Sequence, residues 1–156
     1  MAKIFLETTI FNFYYADDAP DKRDATITLF EEIKNGVYEP FTSLYVIEEL
    51  LEANEPKQSN MIKLIRNYSV EVLAYSDEAE RLADRYIKEG IIPADHRSDA
   101  IHIATTTVNG LDFIISYNFR HIVKEKTIRM VEAINILENY RKIGVYTSEE
   151  IINYET

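Results

Sequence analysis

Short apolar runs alternate along this chain with longer stretches in which apolar residues recur every three or four positions. The first run, residues 3–6, suits a buried strand and is closed by the polar Glu7, Thr8 and Thr9. Residues 10–15 are apolar and aromatic and predict one or two helical turns over a sheet. A Pro- and Asp-rich loop follows at 16–21. Between 21 and 35 the spacing of Ala25, Leu29 and Ile33 predicts a helix, which Asn35-Gly36 stops. Residues 37–42 predict a second strand, which Pro40 weakens or places near an edge. Ser43 is the expected N-cap of a helix over 44–53. A further helix over 54–68 keeps Met61, Leu64, Ile65 and Tyr68 in phase. Residues 70–74 predict a third strand. Ser76 then caps a helix to 89 with Ala79, Leu82, Ala83 and Tyr86 as its apolar stripe. After a loop from 90 to 97 come a helix (98–109), a strand (113–116), a long helix reaching about residue 142 that Gly144 ends, a last strand (145–147) and a terminal turn from Ser148.

Strands alternating with helices predict a three-layer α/β/α sandwich with a mostly parallel central sheet. The absence of repeats or linkers predicts one domain over 1–156. Right-handed crossovers place the C-terminal ends of parallel strands on one edge, so Glu7 and Asn118 are expected together there. A second argument comes from the helix starting at Leu44. At about 100° per residue, Glu48, Glu52 and Glu55 share one narrow strip, the pattern of a solvated face. Glu49 falls beside Tyr45, Val46 and Ala53 instead, where an unpaired carboxylate costs several kcal/mol.

Composition narrows the chemistry. There are no cysteines, which excludes disulfides, thiolate zinc sites and a Cys nucleophile, and only three histidines. The net charge of −10 argues against a broad basic surface for nucleic acid, but clustered metal-binding carboxylates contribute to that charge themselves. No apolar run is long enough to cross a membrane, and the first residues lack the apolar core of a signal peptide; a cytoplasmic location is the simplest expectation. Four glycines, none in a phosphate-cradling motif, argue against a nucleotide-binding or receiver domain.

Glu7, Glu49, Asp99 and Asn118 are therefore the candidate catalytic and metal-binding residues. Oxygen ligands without sulfur suit Mg2+ or Mn2+, whose charge relieves the repulsion among packed carboxylates. The matching chemistry is metal-assisted phosphodiester hydrolysis. Each residue also has a plainer reading. Asp99 opens a helix, where the dipole favours it; Glu7 could be a surface residue, Asn118 a turn former and Glu49 half of an ion pair with Arg or Lys. His102, one turn past Asp99, reads as a hydrogen-bonded structural histidine, and Asp95 as a loop or capping group. Arg97, Arg120 and His121 flank the expected crevice as candidate phosphate-binding residues.

These residues resemble the PIN-domain ribonucleases, especially small bacterial proteins similar to the VapC-type toxins of toxin–antitoxin pairs. The resemblance rests on Ile4-Phe-Leu-Glu-Thr-Thr-Ile-Phe11, Thr42-Ser-Leu-Tyr-Val-Ile-Glu-Glu-Leu50, Asp99-Ala-Ile-His-Ile-Ala104 and Phe113-Ile-Ile-Ser-Tyr-Asn-Phe-Arg-His-Ile122, in that order. It implies a Mg2+- or Mn2+-dependent endoribonuclease acting on RNA, homodimeric, with a cognate antitoxin. Glu7, Glu49 and Asp99 would be the acidic metal ligands, Asn118 would hold the fourth acid's place, and Ser116 that of the Thr or Ser before it, on the substrate side. Two positions depart from the pattern. Glu7 is one methylene longer than the usual Asp, and Asn118 keeps an oxygen but loses a charge. A subset of PIN-like proteins carries Asn there with a following His, as Asn118 and His121 do. The alternative to a nuclease is a PIN-like interaction module that has lost efficient chemistry.

Overall fold

Ile4, Phe5 and Leu6 are completely buried, and the strand that carries them is the middle of the sheet. The computed structural model describes residues 1–153. In chain order its elements are β1 (Ala2–Leu6), α1 (Thr8–Phe13), α2 (Pro20–Lys34), β2 (Tyr38–Ser43), α3 (Leu44–Leu50), α4 (Lys57–Asn67), β3 (Glu71–Leu73) and α5 (Asp77–Lys88). A 3-10 turn (Ala94–His96) leads into α6 (Arg97–Val108), followed by β4 (Phe113–Ile115), α7 (Glu125–Leu137), β5 (Gly144–Tyr146) and α8 (Ser148–Ile151). The strands lie in the order β3-β2-β1-β4-β5 and every pairing is parallel. Helices flank this sheet, giving the expected α/β/α fold.

That order has a consequence for function. From β1 the chain winds outward through β2 to β3, then returns to the other side of β1 to lay down β4 and β5. The winding reverses between β1 and β4, and a crevice opens where neighbouring crossovers part company, at the C-terminal ends of those strands. Leu6 pairs with Ile115, so Glu7 and Ser116 emerge side by side at its floor.

Several boundaries differ from the sequence expectation, each for a physical reason. Pro40 does not put β2 at an edge, because β2 lies between β1 and β3. Pairing with β3 begins only at Phe41, so Pro40 sits where β2 has one partner and a missing N–H is tolerated. α7 stops at Leu137, well short of residue 142. Asn139 adopts φ 66°, the Tyr140 N–H reaches the Asn135 carbonyl at 2.8 Å and the Asn139 N–H reaches that of Ile136 at 3.1 Å. This is a Schellman termination with Asn in the left-handed position. Ile136 and Leu137, in the last turn of α7, are exposed. Gly144 does not end the helix; it opens β5. A Cβ there would lie 2.6 Å from the Phe113 ring and 2.7 Å from that of Tyr146, so close ring packing requires its bare backbone.

The apolar stripe of α5 behaves as its spacing predicts. Ala79, Leu82, Ala83 and Tyr86 are all buried, and α5 packs along α6. α6 itself is buried from Asp99 to Thr107, which makes it the internal helix of the fold and the rigid support for Asp99 and His102.

Candidate active site

Glu7 is the first residue past β1 and the N-cap of α1. Its Oε1 accepts from the Thr9 N–H at 3.2 Å, the Thr9 hydroxyl at 2.6 Å and the Ser116 hydroxyl at 2.6 Å. It is 3% exposed, and burial pushes its carboxyl above the ordinary 4.5, against the opposing pull of His102, Ser116 and Thr9. The extra methylene of Glu7 is accommodated by this capping geometry, in which the side chain folds back over the start of α1.

Glu49 projects from the last turn of α3, whose start is fixed by the Ser43 hydroxyl accepting from the Val46 N–H at 3.2 Å. Its Oε1 accepts from the Thr8 hydroxyl at 2.7 Å and pairs with His102 Nε2. The carboxylate on the apolar side of α3 is thus partnered by histidine rather than by Arg or Lys. Burial opposes charge on both groups, but their hydrogen bond and mutual attraction prevail. Glu49 is held below its ordinary 4.5 and His102 above its ordinary 6.5, each by its contact with the other. His102 also feels Glu7 and Asp99, so one fully buried imidazole lies within electrostatic reach of all three carboxylates. Its Nδ1 has no hydrogen-bond partner among the described residues.

Asp99 lies in the first turn of α6, where the helix dipole favours a negative charge. Its Oδ2 contacts His121 Nδ1 at 2.8 Å and lies 4.0 Å from His96 Nδ1. Asn118 follows β4, and its Oδ1 accepts from the His121 N–H at 3.0 Å; its own N–H donates to Ser116 Oγ at 2.9 Å. Hydrogen bonds therefore run without a break from Asp99 through His121, Asn118 and Ser116 to Glu7, while Thr8 joins the start of α1 to Glu49. Asp99, Asn118 and Glu7 thus share one network, and Glu49 stands in a second one with Thr8 and His102.

The flanking residues divide. Ser116, expected on the substrate side, is completely buried and serves to hold Glu7. Arg97 is not free for phosphate: Asp84 takes its Nε–H at 2.8 Å and Glu80 lies 3.3 Å from its Nη2. Arg120 and His121 do line an open cleft of about 270 Å3, joined there by Lys124 and Lys126, and no acidic residue contributes to its walls. Thr8, Thr9 and His96 were not singled out from sequence. Thr8 and Thr9 directly follow Glu7, and His96 stands three residues before Asp99 on the same helical face; those offsets were the available signals.

Carboxylate oxygens are the donors a hard divalent cation takes, but among the described residues the group whose ligand atoms lie within 4.8 Å of one another is His96, Asp99 and His121, without Glu7 or Glu49. On each of Glu7, Glu49 and Asp99 the hydrogen bonds converge on a single oxygen, and among the described residues none reaches the other. One oxygen fixes the carboxylate while the second remains available to a metal. Asn118 fits less well, because its oxygen is already used by His121.

No protein-family model matches the chain, and no curated protein matches it in sequence. Among solved structures, it is similar to a chain of VapBC2 from Rickettsia felis, determined bound to a DNA fragment from their promoter. The TM-score is 0.54 at 17% identity, over 93% of this chain and 98% of that one. The likeness spans nearly both chains and concerns the backbone: this protein has a VapC-like, PIN-type fold.

Proposed function

We propose that this protein is a metal-dependent endoribonuclease, hydrolysing RNA phosphodiester bonds as the toxin of a toxin–antitoxin pair. The observation that carries this reading is the set of three carboxylates, Glu7, Glu49 and Asp99, gathered about the buried His102 at the switch point of the sheet, each with one oxygen fixed and one left over. Mg2+ or Mn2+ bound by them would activate a water and offset charge on the phosphoryl group. Hydrolysis joins that water's oxygen to phosphorus, breaks one P–O ester bond and returns a proton to the leaving oxygen. Ser116 and Thr9 hold Glu7 in place for this step, Thr8 and His102 hold Glu49, and the buried C-terminal residues of β1 and β4 keep the spacing between them. The cleft bearing Arg120, Lys124 and Lys126 lies beside His121 and suits the flanking phosphates of an RNA strand, a local basic track on a chain of net charge −10.

The test is Mn2+- or Mg2+-dependent cleavage of RNA by the purified protein. Asp99→Asn and Glu49→Gln are each expected to lower the rate by roughly 100-fold or more, the scale seen when one preorganised electrostatic group is lost. Unchanged rates in both would sink the proposal. The same reading gives the protein a cognate antitoxin, a homodimeric state and a cytoplasmic location. No helix among the described residues is long and apolar enough to cross a membrane. One observation favours a second reading, an interaction module with weak chemistry: the Asn118 oxygen is spent on the His121 N–H and adds no charge to the site. Failure to bind Mn2+ at millimolar concentration in calorimetry would select that module over the enzyme.

A further inference from the structure

Asp99 has two imidazole neighbours that an all-oxygen magnesium site does not need. His96 closes the 3-10 turn before α6, Asp99 stands three residues later, and His121 comes from the turn after β4. One ligand atom from each lies within 4.8 Å of the other two. Two atoms bound to one ion at about 2.1 Å can be no more than about 4.2 Å apart. The Asp99–His121 edge at 2.8 Å and the Asp99–His96 edge at 4.0 Å already satisfy that limit. The third edge, between the rings, is at most 4.8 Å and so lies within about 0.6 Å of that limit.

We propose that His96, Asp99 and His121 form a site for a borderline transition-metal ion of the zinc class, with Asp99 shared between it and the carboxylate cluster. Two features support a built site. Asn118 Oδ1 pins the His121 backbone at 3.0 Å, so the side chain in the fourth acidic position positions a nitrogen ligand instead of supplying an oxygen. The His96 ring packs against the His121 ring with centroids 4.2 Å apart, which holds the two imidazoles together beside Asp99. Nitrogen donors shift preference away from Mg2+ and toward Zn2+, Co2+ or Ni2+. The inference rests on the reading of Asp99 as a metal ligand but needs no nuclease activity.

The experiment is titration of the whole protein with Zn2+ by calorimetry, with Co2+ followed by its visible absorption and the histidine ring nitrogens followed by 15N NMR. In the wild-type protein the ring nitrogens of His96 and His121 should shift on adding Zn2+, and Co2+ should show the bands of a nitrogen-ligated ion. His96→Ala and His121→Ala should each weaken Zn2+ binding by at least about 10-fold. The NMR readout needs no variant, so a folding defect in either substitution cannot mimic support. Zn2+ binding that leaves both ring nitrogens unshifted overturns the proposal. If Asp99→Asn nevertheless abolishes that binding, the oxygen-ligand reading of Asp99 survives. Metal-dependent RNA cleavage without any imidazole shift would likewise keep the nuclease and remove this site.

Discussion

Asn118 and Glu49 show how a side chain's meaning depends on which of its atoms is already taken. Asn118 stands in the position of an acid, yet its oxygen holds the His121 N–H, and its contribution is positional. Glu49 is half-buried, and its hydrogen bond with His102 offsets the burial that would otherwise raise its carboxyl. Tyr86 illustrates the same logic outside the site. It is completely buried, its hydroxyl donates to Asn135, and burial pushes its phenol well above the ordinary 10.0. Above pH 10 the unfolded chain releases this proton while the folded chain keeps it. The unfolded state then binds fewer protons, so stability is intact below pH 10 and falls as the pH rises further, by up to about 1.4 kcal/mol per unit for this group. Urea unfolding between pH 8 and 11 should show that decline, with a shallower slope in Tyr86→Phe. At pH 8 the same variant should be less stable by about 1–3 kcal/mol, because the Asn135 oxygen loses its donor.

Among the elements, α7 departs furthest from its expected length, and its end is set by one residue. Apolar spacing continues past Leu137, but Asn139 in the left-handed conformation turns the chain and satisfies the last carbonyls. A β-branched residue pays about 1–2 kcal/mol to enter that conformation, and glycine does not. Asn139→Val should lower the unfolding free energy by about that amount and Asn139→Gly should leave it unchanged or slightly higher; equal stability of the two variants in urea would contradict this account of the helix end. α6 is the opposite case. It is buried around most of its circumference, so it lacks an amphipathic signature, but its N-terminal turn delivers Asp99 and its second turn His102 to the same crevice.

For the molecule as a whole, the reversal of winding between β1 and β4 is what turns separate polar residues into a site. Under the proposed function a divalent ion would sit against Glu7, Glu49 and Asp99, and an ion that binds only the folded state stabilises it. Folding and metal binding would then be linked. At a Mn2+ concentration 100 times its dissociation constant the native state should gain about 2.7 kcal/mol. For a domain of this size that corresponds to a rise in melting temperature of roughly 5–10 °C. Differential scanning calorimetry should show the rise in the wild-type protein and its loss in Asp99→Asn. An identical rise in both would place the ion elsewhere.

The alternation of apolar runs and helical spacings was enough to establish the α/β class, the parallel sheet and the order of its elements, because burial imposes those periods locally. The helix wheel alone separated Glu49 from its acidic neighbours, and the parallel-sheet rule alone put Glu7 and Asn118 on one edge. Pairing partners were beyond its reach. That Glu49 meets His102, that Ser116 is sealed behind Glu7 and that Asp84 and Glu80 claim Arg97 all depend on contacts between residues far apart in the chain. Gly144 shows the limit most simply. As a sequence signal it reads as a helix stop, and only the approach of the Phe113 ring reveals that it is there to make room. Local periodicity encodes which face a residue takes; the identity of the atom waiting on that face is settled by packing.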